Sequence, residues 1–384
     1  MVKAGILFPR SGIFPLLGND YLKGIKTMLS CSGQNEEIEL IMEPVGFGAD
    51  KKEIYQKAEQ LLLIQEVDIL VAFIDQLVAD LIFPLAGAAQ VPLIIVNPGA
   101  NYAHNWAAQD HVIYLDLQDA LLCRLTGKKA ARVSPHQAAF AISYFDGGYH
   151  HGHAMATAYS SQGGNILFNY ISPLRTADFT VEPLKVFLEN QPEVTCILSL
   201  FSGEEANRFT AALNAINSRN SLQLFSSPQM LEEQTLQSMK DDPVSSLEGY
   251  VPWHSGIITT ANDHFCSTFS RETKRPATVF SLLGWETGIL LALFARTAPG
   301  EDRCPLFVQQ LKENVVTSPR GSLILDEVSH HLIGPAYAMK WENSAKLQEL
   351  EIITAEECRS EWQELMENSI IQESSGWLNT YLCY

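Results

Sequence analysis

Three histidines fall within four positions of the stretch FDGGYHHGHAMA: His150, His151 and His153. Imidazole is a common zinc ligand, and the first turn of a helix could bring His150 and His153 together. Zinc sites favour histidine pairs at i, i+4 on a helix or i, i+2 on a strand, with further ligands elsewhere. No fourth ligand is evident here. The cluster reads either as an adventitious metal site or as the rim of a pocket, where an imidazole contacts a polar ligand. A second pair, His330 and His331 in SHHLIG, reads as a solvated turn. Asp75 and Asp146 close predicted strands and could act as general bases, although acids at strand ends commonly cap helices or accept hydrogen bonds.

The common catalytic signatures are absent. PRSGIFPLLG follows the first strand where a dinucleotide site would need GxGxxG, and neither GxxxxGK[ST] nor GxSxG occurs. The seven cysteines, Cys31, Cys123, Cys196, Cys266, Cys304, Cys358 and Cys383, include no CxxC. That argues against a zinc ribbon or a dense disulfide scaffold. A clip between Cys358 and Cys383 is the one pairing to consider, and the rest read as small buried hydrophobes. No metal and no cofactor is expected.

The elements that must position these residues follow from composition and periodicity. A chain of 384 residues, 46% hydrophobic and 18% charged, has material for two cores. Its net charge of −18 repels phosphate backbones, so nucleic acid is not an expected partner. No continuous apolar run reaches the length of a membrane span. Met1-Val2-Lys3 leads directly into AGILFP, which leaves a cytosolic protein or a secreted one whose leader has been removed.

Short apolar runs, AGILF, IELIMEPV, DILVAF, PLIIV and HVIYLDL, alternate with helical patterns in the first 117 residues. Asn19 or Asp20 is available to cap the first helix and Asp50 the second, and a third is expected around Gln76–Ala88. A second series begins near residue 118, with AAFAISYF, NILFNYI, VTCILSL and LQLFSS, and with a helix in EEANRFTAALNAINS. Two more strands are expected in GSLILDE and AYAMKWE, and an added helix in AEECRSEWQELMENSIIQ. The aromatic tail SSGWLNTYLCY has no assignment. Strand–helix alternation at this pitch means an α/β fold with parallel sheets and helices on both faces. Ligands then bind beyond the carboxyl ends of the strands, on loops here rich in Gly, Asn, Ser and aromatics.

The order of motifs resembles the type I periplasmic solute-binding proteins, in the branched-chain amino acid (Leu/Ile/Val) branch that serves ABC importers. FPRSGIFPLLGNDYLKGIK is similar to that family's opening, VPLIIVNPGANY to its carboxylate-holding segment, and YFDGGYHHGHAMA to the loop opening its second lobe's helix. GYVPWHSG falls at a hinge crossing, PATVFSLLGWETGILLALF at a family helix, and SPRGSLILDEVSHHLIGPAYAMKWE at the family's ending. The resemblance covers roughly residues 3–342.

It implies two Rossmann-like lobes with parallel central sheets joined by a three-strand hinge, 1–117 plus 251–326 and 118–250 plus 327–384, the last with an extension from about 345. It implies a non-enzymatic protein, periplasmic or extracellular, that captures a small organic solute between its lobes for a membrane permease. A ligand-sensing regulator of the same fold, or an α/β enzyme working through Asp75, Asp146 or the histidines, is the alternative.

Carried over by position, the ligand contacts in the first lobe are Arg10, Ser11, Asp75, Gln76, Asn97, Gly99, Ala100, Asn101, Tyr102, Phe280 and Trp285. In the second lobe and at the hinge they are Tyr149, His150, Phe201, Ser202, Gln229 and Trp253. Asn101 stands where the family has Thr or Ser, and Asp75 and Gln76 replace hydroxyls. Gln229 stands where amino-acid binders place an acid for the ammonium. That departure leaves Asp75 to hold an amine, or else points to a carboxylate or amide without one.

Overall fold

The computed structural model describes residues 1–103, 105–216, 222–239, 246–342, 347–369 and 377–384. The chain begins β1 (Val2–Phe8), α1 (Leu17–Cys31), β2 (Ile38–Pro44), α2 (Lys51–Glu59), β3 (Ile69–Phe73), α3 (Gln76–Ala79), α4 (Phe83–Ala88), β4 (Leu93–Asn97) and β5 (Val112–Asp116). It continues through α5 (Asp119–Val133), β6 (Gln137–Ile142), α6 (His151–Ser161), β7 (Asn165–Ile171), α7 (Glu182–Asn190), β8 (Cys196–Leu200), α8 (Glu204–Ile216), β9 (Gln223–Ser226), α9 (Glu233–Ser238) and β10 (Leu247–Val251). The remainder is α10 (Thr260–Thr273), α11 (Val279–Arg296), α12 (Arg303–Glu313), β11 (Val316–Ser318), β12 (Gly321–Leu325), β13 (Leu332–Ile333), β14 (Ala336–Trp341), β15 (Gln348–Ile353) and α13 (Ala355–Asn368).

Two compact units result. Unit 1 comprises Met1–Leu117, Ser255–Pro335 and Trp377–Tyr384, and unit 2 comprises Gln118–His254 and Ala336–Gly376. The tail Trp377–Tyr384 thus belongs to unit 1, although the sequence reading gave the whole extension to the second lobe. The last part of the expected C-terminal helix, and the end of the helix expected in EEANRFTAALNAINS, lie outside the described residues.

The five-stranded sheet of unit 1 has the order β2-β1-β3-β4-β5 and is parallel throughout. Every residue of β3, β4 and β5 is buried, as strands covered by helices on both faces require. In unit 2 the strands β10-β9-β8-β6-β7 are parallel, and β14 and β15 add antiparallel to that sheet at the β10 side. The central sheets are parallel as expected, and only this edge of the unit 2 sheet is antiparallel. Within each parallel set the order reverses once, between β1 and β3 and between β6 and β8. Crossovers leave toward opposite faces at such a point, so the loops beyond it splay apart and open a crevice.

Helix α1 packs on α11 through two glycines. A Cβ on Gly284 would lie 2.0 Å from the Tyr21 carbonyl oxygen, and one on Gly24 would lie 2.3 Å from that of Ser281. Thr278 and Ser281 form a reciprocal cap for α11. By length and composition α11 could cross a membrane, a run the sequence reading did not single out, but 72% of it is buried inside the structure. Asp20 caps nothing. Leu16 is the N-cap residue of α1, and Asp20 instead accepts from Arg275 and, at 3.3 Å, from the Thr278 hydroxyl. Asp50 does cap α2, accepting from the Lys52 and Glu53 amides. The helix expected over Gln76–Ala88 is split in two, with Pro84 in the first turn of α4, where its missing N–H is tolerated.

Unit 1 is built from stretches far apart in sequence, and a buried arginine, ion-paired within one of them, reaches a second. Arg320 donates from Nε and Nη2 to the two carboxylate oxygens of Glu286, at 2.8 and 3.0 Å, and from Nη2 to the Asp116 carbonyl at 2.9 Å. Both side chains are fully buried. Removing one partner leaves an uncompensated buried charge, so Arg320→Ala is expected to lower unfolding stability by about 3–5 kcal/mol in urea titration. The double variant Arg320→Met/Glu286→Leu is expected to lose much less. Equal losses would show that the cost does not come from stranding a buried charge.

Candidate functional site

In unit 1 the reversal point brings together the loops after β1, β3 and β4. Asn97 ends β4 and turns its amide onto the Ile74 carbonyl at 3.0 Å, while its side-chain oxygen accepts the Gly99 amide at 2.8 Å. That turn carries Ala100, Asn101 and Tyr102 toward Asp75. Asn101 Nδ2 donates to both Asp75 carboxylate oxygens, at 3.1 and 3.0 Å, and the Leu77 amide donates to Asp75 at 3.0 Å. Asp75 is therefore a helix cap and also a buried acid held among amide donors. Tyr102 is buried, with its ring 5.7 Å from that of Trp106.

Gln76 meets His331 Nε2 at 2.9 Å, and His331 Nδ1 lies 3.1 Å from the Ser329 carbonyl. A carbonyl can only accept, so the proton sits on Nδ1 and the Gln76 amide donates to Nε2. The ring stacks on Tyr114, centroids 4.3 Å apart, and Asp116 lies 3.4 Å from Nε2. Both His330 and His331 are buried, which corrects the solvated-turn reading. A bridge between His331 and Tyr114 lays this stretch along β5. Burial chiefly pulls the His331 pKa down to about 3, so the imidazole is neutral.

Two residues expected to touch a solute are committed elsewhere. The Arg10 guanidinium is exposed and lies 4.5 Å above the Phe47 ring. The Ser11 hydroxyl donates to the Leu382 carbonyl and accepts the Phe14 amide at 2.8 Å. Phe280 packs on Phe14 at 5.2 Å, and Trp285 packs between α10 and α11 on Phe265 and His264, at 5.2 and 5.7 Å.

In unit 2 the reversal point joins the loops after β6 and β8. Asp146 accepts from the Ser143 hydroxyl at 2.5 Å and from the Ser202 hydroxyl at 2.7 Å, with His151 Nε2 4.0 Å away. Tyr149 is buried, its ring 5.3 Å from that of Phe145. The three histidines do not act as a unit. His150 is half-buried before α6, His151 is fully buried, and His153 faces solvent. Helical spacing separates their faces, so the option of His151 at a pocket mouth is corrected. Among the described residues, no three His, Cys, Asp or Glu side chains gather as a metal site would need. Phe201 is core: it stacks on Phe209 of α8 at 4.1 Å and is fully buried.

Gln229 donates its amide to the carboxylate of Asp119, a fully buried residue that opens α5. The helix dipole favours a negative charge there. Asp119 escaped the sequence reading because an acid in a first helical turn is the ordinary case. Only its partnership with Gln229, 110 positions away, marks it. Trp253 is buried just beyond β10. Cys358 and Cys383 are both buried and are not joined as the clip that was considered.

A family model described as periplasmic binding protein matches residues 1–346. A Leu/Ile/Val-binding protein homolog 6 from Brucella abortus (strain 2308) is 22% identical over 353 residues, covering 88% of this chain and 86% of that protein. The solute binding protein of an ABC transporter from R. palustris, in complex with benzoate, superposes with a TM-score of 0.74 at 17% identity, covering 92% of this chain and 96% of that one. The branched-chain amino acid transporter substrate binding protein LivJ from Streptococcus pneumoniae, in complex with isoleucine, superposes at 0.73 with 14% identity, covering 92% and 99%.

The neutral His331 makes a pH prediction. Its folded pKa of about 3 lies below the ordinary 6.5, so unfolding takes up a proton at any pH between the two. The stabilisation is complete above pH 6.5 and is lost as pH falls toward 3. Thermal melts between pH 7 and 4.5 are expected to fall more steeply for the native chain than for His331→Gln, by up to about 1.4 kcal/mol per pH unit. Parallel curves would contradict the neutral assignment.

Proposed function

We propose that this chain, which belongs to the periplasmic binding protein family, captures a small organic solute on loops at a strand-order reversal and presents it to the membrane permease of an ABC importer. The reading places the protein outside the cytoplasm and assigns it no catalytic step. The observation that carries it is the buried Asp75 carboxylate, held by Asn101 and the Leu77 amide on the loop that opens beyond β3. A buried carboxylate on a strand-end loop is suited to hold the ammonium of a solute. Asp119 beside Gln229 supplies a second buried acid, in unit 2, near the position where the family places an acid for the ammonium.

The buried Asp75 favours an amino acid over a carboxylate lacking an amine. The names of the relatives agree with either class: the Brucella homologue is named for Leu, Ile and Val, and the R. palustris protein holds benzoate. The Asn97–Asn101 turn supports a role in holding the solute carboxylate, through its backbone N–H groups.

Thermal melting against the amino acids and small aromatic acids tests this. A solute that binds only the folded form adds about 2.7 kcal/mol at a hundredfold excess over Kd. L-leucine or another apolar amino acid is expected to raise the melting temperature, and Asp75→Asn is expected to weaken that solute by about 2–4 kcal/mol. Stabilisation by benzoate but by no amino acid would overturn the amine assignment. No shift with any member of the panel would overturn the solute class.

A further inference from the structure

The loop beyond β1 is occupied by the chain itself. The Gly12 amide donates to the Tyr384 carbonyl at 2.7 Å, the Ser11 hydroxyl donates to the Leu382 carbonyl, and the Thr380 amide donates to the Phe47 carbonyl at 3.1 Å. Thr380, Tyr381 and Cys383 have no exposed surface and Leu382 has 2%. The fit is close on both sides: a Cβ on Gly12 would lie 2.4 Å from the Tyr384 carbonyl oxygen, and one on Gly48 would lie 2.2 Å from Thr380 Oγ1. β1 pairs with β3, so a segment docked on the loop beyond β1 stands at the strand ends from which the β3 loop also leaves, and the Asp75 charge adds to burial in raising the Cys383 thiol pKa. Trp377–Tyr384 therefore lies at the reversal point of unit 1, where an open parallel sheet of this order takes its ligand.

An exchangeable plug and a fixed wall are the two ways such a segment can act. A small solute offers few polar atoms against three hydrogen bonds and four buried residues. The segment is also tethered, so its docking costs no translational freedom. The balance favours a segment that stays in place. We propose that Trp377–Tyr384 is a built-in wall of the solute site of unit 1, which takes the Ser11 hydroxyl and Gly12 amide for itself and sets which solutes fit beside Asp75. This rests on the solute-binding reading above. It also accounts for the commitment of Ser11, which leaves that hydroxyl no proton to donate to a solute.

The test uses full-length chains and two probes, L-leucine and benzoate, with affinities from calorimetry. Gly12→Ala suits the local backbone, whose φ is not positive, but its methyl meets the Tyr384 carbonyl. Cys383 then reports release, through iodoacetamide labelling located by peptide mass spectrometry. In the unsubstituted chain Cys383 is expected to react on the order of a hundredfold more slowly than the exposed Cys31. Gly12→Ala is expected to speed that reaction about tenfold or more and to weaken whichever probe binds by about tenfold.

Cys383→Ala, which keeps the segment docked, is expected to change the leucine-to-benzoate affinity ratio about fivefold. Release of Cys383 with unchanged or tighter binding would overturn the wall and leave solute binding standing. An unchanged ratio in Cys383→Ala would do the same if Gly12→Ala fails to release the segment. If neither probe binds the unsubstituted chain, the solute reading falls and the wall falls with it.

Discussion

Everything in the site depends on the single reversal of strand order in each parallel set. Right-handed crossovers send helices to opposite faces of the sheet on either side of that point, so the adjoining loops cannot close over the strand ends. Between β1 and β3 this opens the ground on which Asp75 meets Asn101 and on which the segment Trp377–Tyr384 docks against Ser11 and Gly12. Between β6 and β8 it opens the ground on which Asp146 and Ser202 meet. The two units solve the same topological problem with the same device, a buried acid on a loop at the reversal. What they do with it differs: Asp75 is held by amides, whereas Asp146 is held by two hydroxyls and serves the loop around it.

Polar burial on this scale is stable because the groups that frame these loops are paired with one another. The Asn97 side chain bonds at both ends, Gln76 meets a neutral imidazole, and Arg320 is answered by Glu286 and a carbonyl. Such networks rigidify the loops they join, because losing one member leaves another unsatisfied. A binding site framed this way is preorganised, and the solute need not bear the cost of ordering it. The family to which the chain belongs, and the fold it shares with solute-binding proteins, give that preorganisation a use.

The fold was largely legible because it is written in local pattern. Runs such as ILVAF and LIIVN can only be strands covered on both faces, and their alternation with amphipathic stretches means parallel crossovers. The loops at the strand ends followed from that, and with them Asp75, Asn97 and Asn101. What failed was partnership at long range. Asp20 looks like a cap until Arg275 and Thr278 come to it, and His331 looks solvated until it stacks on Tyr114. Phe201 follows a strand as a pocket aromatic would, yet Phe209 of α8 stacks on it. The segment Trp377–Tyr384 has no periodicity at all. It bonds through its own main chain to distant loops, as where the Leu382 carbonyl accepts from the Ser11 hydroxyl 371 positions away, and no side-chain pattern within the segment encodes that.

The most direct measurement is a crystal structure of the full chain grown with a saturating amino acid, L-leucine first. Capture at a strand-order reversal predicts the ammonium within hydrogen-bond distance of the Asp75 carboxylate, the solute carboxylate on the Asn97–Asn101 turn, and Trp377–Tyr384 still docked on Gly12. A solute bound away from Asp75 and Asn101, or one seated on Gly12 with the segment displaced, would contradict it.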